Sequence, residues 1–488
     1  MIRTITLCVI FAAAATAQEQ APGYRGMVRY NRAPVSNEVL KVKLPRPVDR
    51  TLSNGLKLVI LETNRTPSIT LTISIPSSRL RDPEGMAGVA EATASMMMMG
   101  TATRTARQIS DALADIGATV SFGGGGGGGG RGGRGGGGGD EGTITVSALA
   151  QDFDAALAIM ADILMHPSFP ADELEKWKNR QRSQLEQQRS NPTTLSNETL
   201  MQVLYPTDAR RFTRITPESL NRITRDVLID HYKKYFVPSG ELASVVGDIA
   251  AKDVVAKLEK VLGAWKGGPI EPVKLPVNPP IAEKKVYLIS RPGSVQTNLT
   301  LANRAITRTD PDYIACMVMN QVLGSGTAAR LFRIIREEKG YTYGVSSSFA
   351  ASKTAQHFLS SMSVRTEVTE PALADLLKEF KEIRDVPVPA DELEGAKRTL
   401  VASFAMGLEN PAGVLARWMQ QREFGLPADY WDTYSAKVMA ITADDVQRVA
   451  RKYVPYDNVQ IIAVGDGAKI RDALKKFGPV VETTVEGN

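Results

Sequence analysis

Arg336 and Tyr343 stand seven residues apart. A guanidinium and a phenol at that spacing could hold a peptide carbonyl and stabilise the oxyanion formed when it is attacked. Gly340 can end a helix that carries Arg336, and Tyr341 to Phe349 then reads as a strand presenting alternate residues to one face. A surface arginine and a half-buried tyrosine would leave the same trace. Attack by water needs activation, and a zinc ion provides it when three imidazole, thiolate or carboxylate groups converge and leave one position open. The three histidines, His166, His231 and His357, are far apart, and His166 precedes Pro167 at a helix end; all three read as structural. Glu91 is a helix carboxylate, but Gly88 before it and Ala92 after it carry no donor atoms. Such a lone carboxylate is ordinarily solvated or locally paired.

The elements that would position these groups follow from an internal repeat. Phe169-Pro170-Ala171-Asp172-Glu173-Leu174-Glu175 returns as Val388-Pro389-Ala390-Asp391-Glu392-Leu393-Glu394, and Asn-Pro follows each proline at the same distance, at Asn191 and Asn410. Tyr235-Phe236-Val237-Pro238 leading to Val246-Gly247-Asp248 matches Tyr453-Val454-Pro455 leading to Val464-Gly465-Asp466. The offsets agree, 389 − 170 = 219 and 453 − 235 = 218. A period this long means a duplicated domain, not a repeat array. The expected layout is a leader over 1–17, an extension over 18–45, a first domain over 46–264, a Pro- and Gly-rich linker over 265–282 and a second domain over 283–488.

Within each copy the reading is α+β. Leu56 to Leu61 and Ile69 to Ile75 are strand candidates, and Ala106 to Ile116 and Ala155 to Met165 repeat apolar residues at helical spacing. Pro170 can open a long helix from Ala171 to Arg189, its acidic first turn favoured by the helix dipole. Each copy should pack helices on one face of a mostly antiparallel sheet. Met96 to Met99 are sequential and so cover every side of a helix, which suits adaptable core filling.

The N-terminus has Arg3, an apolar run from Ile5 to Ala14, and Ala15-Thr16-Ala17 before Gln18. This is a secretory signal pattern with cleavage expected after Ala17, which implies a periplasmic or secreted protein. Cys316 would be the remaining cysteine, so no internal disulfide is expected. Loss of Arg3 leaves 58 basic against 53 acidic residues, a net charge of +5. The charges are interspersed, as in Glu173 to Arg182, so nucleic acid is not an expected partner. At 43% hydrophobic and 23% charged, with no later run long enough to span a bilayer, the chain is expected to be globular and without a membrane partner.

Between Gly123 and Gly139 stand 15 glycines with only Arg131 and Arg134. The segment joins the strand candidates 118–122 and 143–146 and is too poor in apolar residues to order itself. A plain hairpin extension and a substrate-guiding loop (Gly123, Arg131, Arg134, Gly139) both fit. Phosphate cradling does not, because no Gly-Lys-Ser/Thr follows.

Asn54-Gly55-Leu56, Arg79-Leu80-Arg81-Asp82-Pro83-Glu84-Gly85, Met86 to Met96 and Met99-Gly100-Thr101, taken together, resemble the insulinase/pitrilysin family of zinc peptidases, which includes the mitochondrial processing peptidases. The family's corresponding helix carries His-x-x-Glu-His. The resemblance runs from about Asn54 onward and implies two homologous domains of the processing-peptidase type. It places the metal positions on Gly88 and Ala92, the general base on Glu91, and the third ligand near Trp177 to Asn179, so this chain is expected to bind no metal. Leu323 to Phe332 and Ile335 to Tyr343 resemble the family's C-terminal arginine-tyrosine element, which implies that Arg336 and Tyr343 contact substrate. The strand pair flanking the glycine-rich segment would lie beside the place where a substrate adds as an extra strand. In two-subunit members zinc and the arginine-tyrosine pair can sit on different chains. The resemblance therefore implies a zinc-free subunit that lacks activity alone, a zinc-bearing homologous partner and peptide substrates. A non-catalytic binding or scaffold protein is the alternative, and an independent metalloendopeptidase a third reading.

Overall fold

The computed structural model describes residues 43–124, 141–208, 214–238, 242–352 and 356–483, all within one compact unit that begins at Lys41. The leader 1–17 and the positions Arg131, Arg134 and Gly139 lie outside the described residues. The first half builds a six-stranded sheet from β1 (Val48–Thr51), β2 (Lys57–Glu62), β3 (Ser68–Ile75), β4 (Thr119–Gly123), β5 (Gly142–Leu149) and β6 (Leu242–Gly247), in the order β1-β2-β6-β3-β5-β4. The second builds β7 (Lys285–Ser290), β8 (Gln296–Arg304), β9 (Thr342–Ala351), β10 (Gln356–Arg365), β11 (Gln460–Gly465) and β12 (Val480–Thr483), in the order β12-β7-β11-β8-β10-β9. The two orders superpose strand for strand from β2 and β7 outward. In both sheets one inner pair is parallel, β2 with β6 and β7 with β11, and the next three are antiparallel. The architecture is thus the expected α+β duplication, with β4 and β9 as the matching edge strands.

The helices of at least two turns are α1 (Val89–Met97), α2 (Ala106–Asp115), α3 (Phe153–Met165), α4 (Ala171–Arg189), α5 (Pro192–Leu204), α6 (Arg225–Tyr235), α7 (Ala251–Leu262), α8 (Tyr313–Leu323), α9 (Thr369–Asp385), α10 (Ala390–Met406), α11 (Pro411–Glu423), α12 (Tyr430–Met439), α13 (Ala443–Tyr453) and α14 (Gly467–Leu474). One face of each sheet meets helices of its own half. Ile69, Leu71, Ile73 and Ile75 on alternate positions of β3 join Val89, Met96, Phe153 and Met160 in the first core. Leu299 and Leu301 on β8 join Cys316, Met319, Phe358 and Phe380 in the second.

The opposite faces are covered crosswise, so helices pack on both sides of each sheet instead of one. Asn191 caps α5 by accepting from Thr193 N at 2.9 Å, with Pro192 in the first turn. The helix then crosses to pack on β8 and β11, and Leu195, Leu200 and Leu204 bury Ile289, Ala302, Ile462 and Val464. Asn410 and Pro411 begin α11 in the same way. That helix packs on β2 and β6, where Val414, Leu415 and Trp418 bury Val59 and Leu61. This explains why Leu58 to Leu61 are buried without alternation and why β11 is buried throughout: both faces of those strands are apolar contacts. The repeated Asn-Pro therefore starts, in each half, the helix that the other half needs.

An N-terminal strap adds to the junction. Trp418 Nε1 donates to Pro45 O at 2.8 Å, Arg46 lies 4.6 Å over the Trp418 ring and pairs with Asp432, and Arg422 grips Asp49 through two nitrogens. Residues 263–284 between the halves contain no helix or strand.

Candidate functional site

Glu91 lies in the first turn of α1. Asp82 fixes that turn: its two carboxylate oxygens accept from Gly88 N and Ala90 N, each at 2.7 Å, which satisfies two of the four N–H groups a helix start leaves open. Burial pushes the Asp82 carboxyl up to about 6, against the lowering effect of those two N–H groups. Behind it, His231 on α6 shares a 2.9 Å hydrogen bond with Ser77 Oγ. Burial, and then the nearby Lys234 and Arg81 charges, hold His231 down at about 4.

The two flanking positions, Gly88 and Ala92, are packing positions. Gly88 adopts φ 104°, a left-handed conformation outside the helix, which side-chain-bearing residues rarely take. A Cβ there would lie 2.9 Å from Ile215 Cγ1. Ala92 is fully buried in the first core. Beside them, a Cβ on Gly124 would fall 2.4 Å from Ala90 O and 2.6 Å from Glu91 N, so the chain leaving β4 lies directly on the backbone of α1. On α4, Trp177 is buried, Lys178 pairs with Glu175 at 2.9 Å and Asn179 accepts from Arg182. The α4 residue that meets Glu91 is Gln181, through Nε2 to Oε1 at 3.3 Å. Among the described residues no group of three His, Cys, Asp or Glu side chains is placed to hold a metal ion. A zinc ion does not fit here: Gly88 and Ala92 offer no donor, and the third position falls on a buried indole at Trp177, a cation at Lys178 and an amide at Asn179 that already accepts from Arg182.

The histidines are occupied elsewhere. His166 faces Asp162 Oδ1 at 3.5 Å, His231 has Ser77, and His357 shares a 3.0 Å hydrogen bond with Tyr205 OH. Met96 and Met97 are buried and Met98 and Met99 pack partly against the same core.

Arg336 sits on a π-helix, Phe332–Glu338, which Gly340 follows with φ 63°. The chain then enters β9, and Tyr343 projects from that edge with 88% of its surface exposed. The guanidinium carbon of Arg336 lies 4.5 Å from the Phe332 ring centre and 4.6 Å from that of Tyr343. Stacking of this kind fixes the plane of the group and leaves its N–H edge open. Two other arginines on the same stretch differ. Arg330 donates to Glu392 at 2.7 Å, and Arg333 donates to Glu338 at 2.7 Å. The Arg336 side chain has no hydrogen bond or ion pair among the described residues.

The sequence reading placed Arg336 and Tyr343 together, and they touch. Neither Phe332, although a residue four positions before Arg336 shares its helix face, nor the contact of Gln181 with Glu91, just beyond the stretch Trp177 to Asn179 where the third ligand was expected, follows from the sequence. Glu91 and the Arg336–Tyr343 pair flank edge strands of different sheets. No hydrogen bond, ion pair or ring contact joins them among the described residues.

Comparison with known proteins bears on both elements. The family description "Insulinase (Peptidase family M16)" matches residues 58–217, and "Peptidase M16 inactive domain" matches residues 222–400. An uncharacterized zinc protease YmxG of Bacillus subtilis is 22% identical over 372 residues, covering 75% of this chain and 86% of that one. A Helicobacter pylori protein described as a non-peptidase homolog, also YmxG, is 23% identical over 329 residues, 67% of this chain and 75% of its own. A crystal structure described as a peptidase M16 inactive domain from Pseudomonas fluorescens superposes with a TM-score of 0.76 at 26% identity, covering 86% of this chain and 98% of that one.

Proposed function

Because the chain belongs to the insulinase (M16) peptidase family as a member without the zinc motif, we propose that it is the substrate-binding subunit of a heterodimeric peptidase. Its partner is a homologous chain bearing an intact His-x-x-Glu-His and the zinc ion. This chain contributes Arg336 and Tyr343 to a cleft shared by the two, where peptides or small unfolded proteins are cut. The observation that carries the reading is the contrast between the two halves. The metal positions are filled with glycine and alanine, whereas the arginine of the second half stays unpaired on an exposed edge beside an exposed tyrosine.

In that cleft the guanidinium and phenol would donate to the scissile carbonyl and to the oxyanion that develops from it. Removal of one such donor typically costs about a hundredfold or more in turnover. The pattern from Arg3 to Ala17 supports export, with the complex working in the periplasm or outside the cell. Among the described residues no helix is long and apolar enough to cross a membrane.

The second reading, a binding or scaffold protein that cuts nothing, is favoured by the non-peptidase homolog of H. pylori. Affinity purification of the tagged chain from its native host separates the two. The peptidase reading expects a zinc-bearing homologue in the eluate and peptide cleavage that falls about a hundredfold with Arg336→Ala and clearly with Tyr343→Phe. Purification without such a homologue, or cleavage indifferent to both substitutions, leaves the scaffold reading.

A further inference from the structure

The chemistry that Arg336 can recognise is narrower than a peptide carbonyl. The stretch from Arg330 to Glu338 holds three arginines at intervals of three, and two of them are neutralised by carboxylates of this chain. The third, with its guanidinium over both the Phe332 and the Tyr343 ring, keeps an uncompensated charge and a free fork of N–H groups. A carboxylate matches such a fork in geometry and charge, whereas a single carbonyl oxygen satisfies only part of it.

The backbone next to it limits what can reach it. On β9 the outward Ser347 is already occupied: its N–H donates to Gly324 O at 3.0 Å, its carbonyl accepts from Asn320 Nδ2 at 3.0 Å, and its hydroxyl donates to Asn320 Oδ1 at 2.7 Å. Gly324 is pressed so close that a Cβ would stand 2.6 Å from Ser347 N. A peptide pairing with the β9 edge beside Tyr343 is therefore stopped at Ser347 and has Tyr343 to Ser346 to use, a run of roughly 13 Å at strand spacing. Such a run holds a few residues, not a long added strand. The stretch Thr342 to Ala351 carries no charge and no proline, the usual devices that keep an exposed edge from pairing.

We propose that Arg336, with the Tyr343 hydroxyl, binds the carboxylate of a short extended peptide lying along the open end of β9. Phe332 acts as a positioning residue that holds the guanidinium plane. The carboxylate can come from a chain end or from an Asp or Glu side chain. This rests on the reading above that the Arg336–Tyr343 face meets substrate, but it does not require a zinc-bearing partner.

The test uses the isolated chain and fluorescein-labelled alanine-serine peptides in three forms: free acid, C-terminal amide, and amide carrying one internal Glu. Anisotropy should show the free acid, the Glu-bearing amide, or both binding roughly ten- to a hundredfold tighter than the plain amide. Whichever form gains identifies the source of the carboxylate. Arg336→Gln should abolish the preference while leaving the unfolding midpoint unchanged. Phe332→Leu should weaken it several-fold and Phe332→Tyr restore it, a rescue that a loss of fold would not give. Equal binding of all three forms, no binding by any, or a preference that survives Arg336→Gln overturns the proposal. The two readings fail separately. Acid preference without any co-purifying zinc subunit removes the partnership and keeps this site; Arg336-dependent peptidase activity without acid preference does the reverse.

Discussion

Restoring the missing metal ligands in α1 should fail, and the structure gives the size of the failure. The substitutions are Gly88→His and Ala92→His, with Trp177→Glu at the buried α4 position where the third ligand is expected. At position 88 the backbone φ of 104° costs a side-chain-bearing residue roughly 1–2 kcal/mol. The 2.9 Å approach to Ile215 adds overpacking of about 1–3 kcal/mol. At position 92 an imidazole enters a fully buried site, where overpacking and an unpaired ring nitrogen cost about 2–5 kcal/mol together. Positions 88 and 92 alone come to about 4–10 kcal/mol, comparable with the whole stability of an ordinary domain. The triple variant should therefore be recovered poorly, unfold at a lower guanidinium midpoint and hold far less than one zinc by elemental analysis. Adding Ile215→Ala, which removes the atoms nearest position 88, should return part of the lost stability. One bound zinc per chain with an unchanged midpoint would refute the claim that Gly88 and Ala92 are packing positions.

Asp82, raised to about 6, and His231, lowered to about 4, pull in opposite directions over the same interval. Between about pH 4 and 6 the folded chain keeps a proton on Asp82 that the unfolded chain releases, so this group lowers stability as pH rises. His231 stays neutral where the unfolded histidine charges, so its contribution is lost as pH falls from about 6.5 to 4. Each is worth up to about 3 kcal/mol. Chemical unfolding should thus show a nearly flat parent, a rise with pH in Asp82→Asn and a fall with pH in His231→Gln; parent-like slopes in both variants would contradict the assignment. Trp418→Ala removes a buried ring and its bond to Pro45 and should cost about 3–5 kcal/mol, read as a lower unfolding midpoint and faster proteolysis between 263 and 284. Gly324→Ala drives a methyl into Ser347. It should cost about 1–3 kcal/mol in unfolding measurements and disturb β9 enough to weaken acid-peptide binding.

The duplication and the α+β class were legible because their signals are local and repeated: Pro170 and Pro389 open one helix in each half, and Asn191 and Asn410 start the next. What those helices pack against was not. Leu200 and Trp418 announce burial, and burial against the other half's sheet has the same sequence pattern as burial at home. The unbroken apolar run of β2 was a hint, since a strand covered on both faces loses its alternation. At the site, the pairing of Arg336 with Tyr343 followed from a helix ended by Gly340. The π-helical winding and the Phe332 stack depend on side-chain packing that spacing does not encode. Glu91 was legible as a carboxylate without a metal, but its contact with Gln181 depends on how α1 and α4 cross.

The crosswise packing also bears on how the metal site was lost. Each sheet needs a helix from the other half, so neither half can decay without exposing the apolar face of its neighbour; changes tolerated by the fold must be confined to surfaces outside that exchange. Strands β4 and β9 lie at the far edges, and α1 and the π-helix flank them. Deletion of two ligands alone would have left a polar hollow beside Glu91. Instead Ile215 crowds Gly88, Ala92 closes into the core and Gly124 presses on the α1 backbone, so the first half's edge has settled into ordinary packing. The second half's edge has not: there an unpaired guanidinium and an exposed tyrosine remain in contact. Exposing them gains little for the fold, since a stacked surface arginine contributes only about 0.5–1 kcal/mol and an open strand edge invites unwanted pairing. A ligand on that edge, as proposed above, would account for their persistence, and substitutions at Arg336 and Tyr343 are the direct test of it.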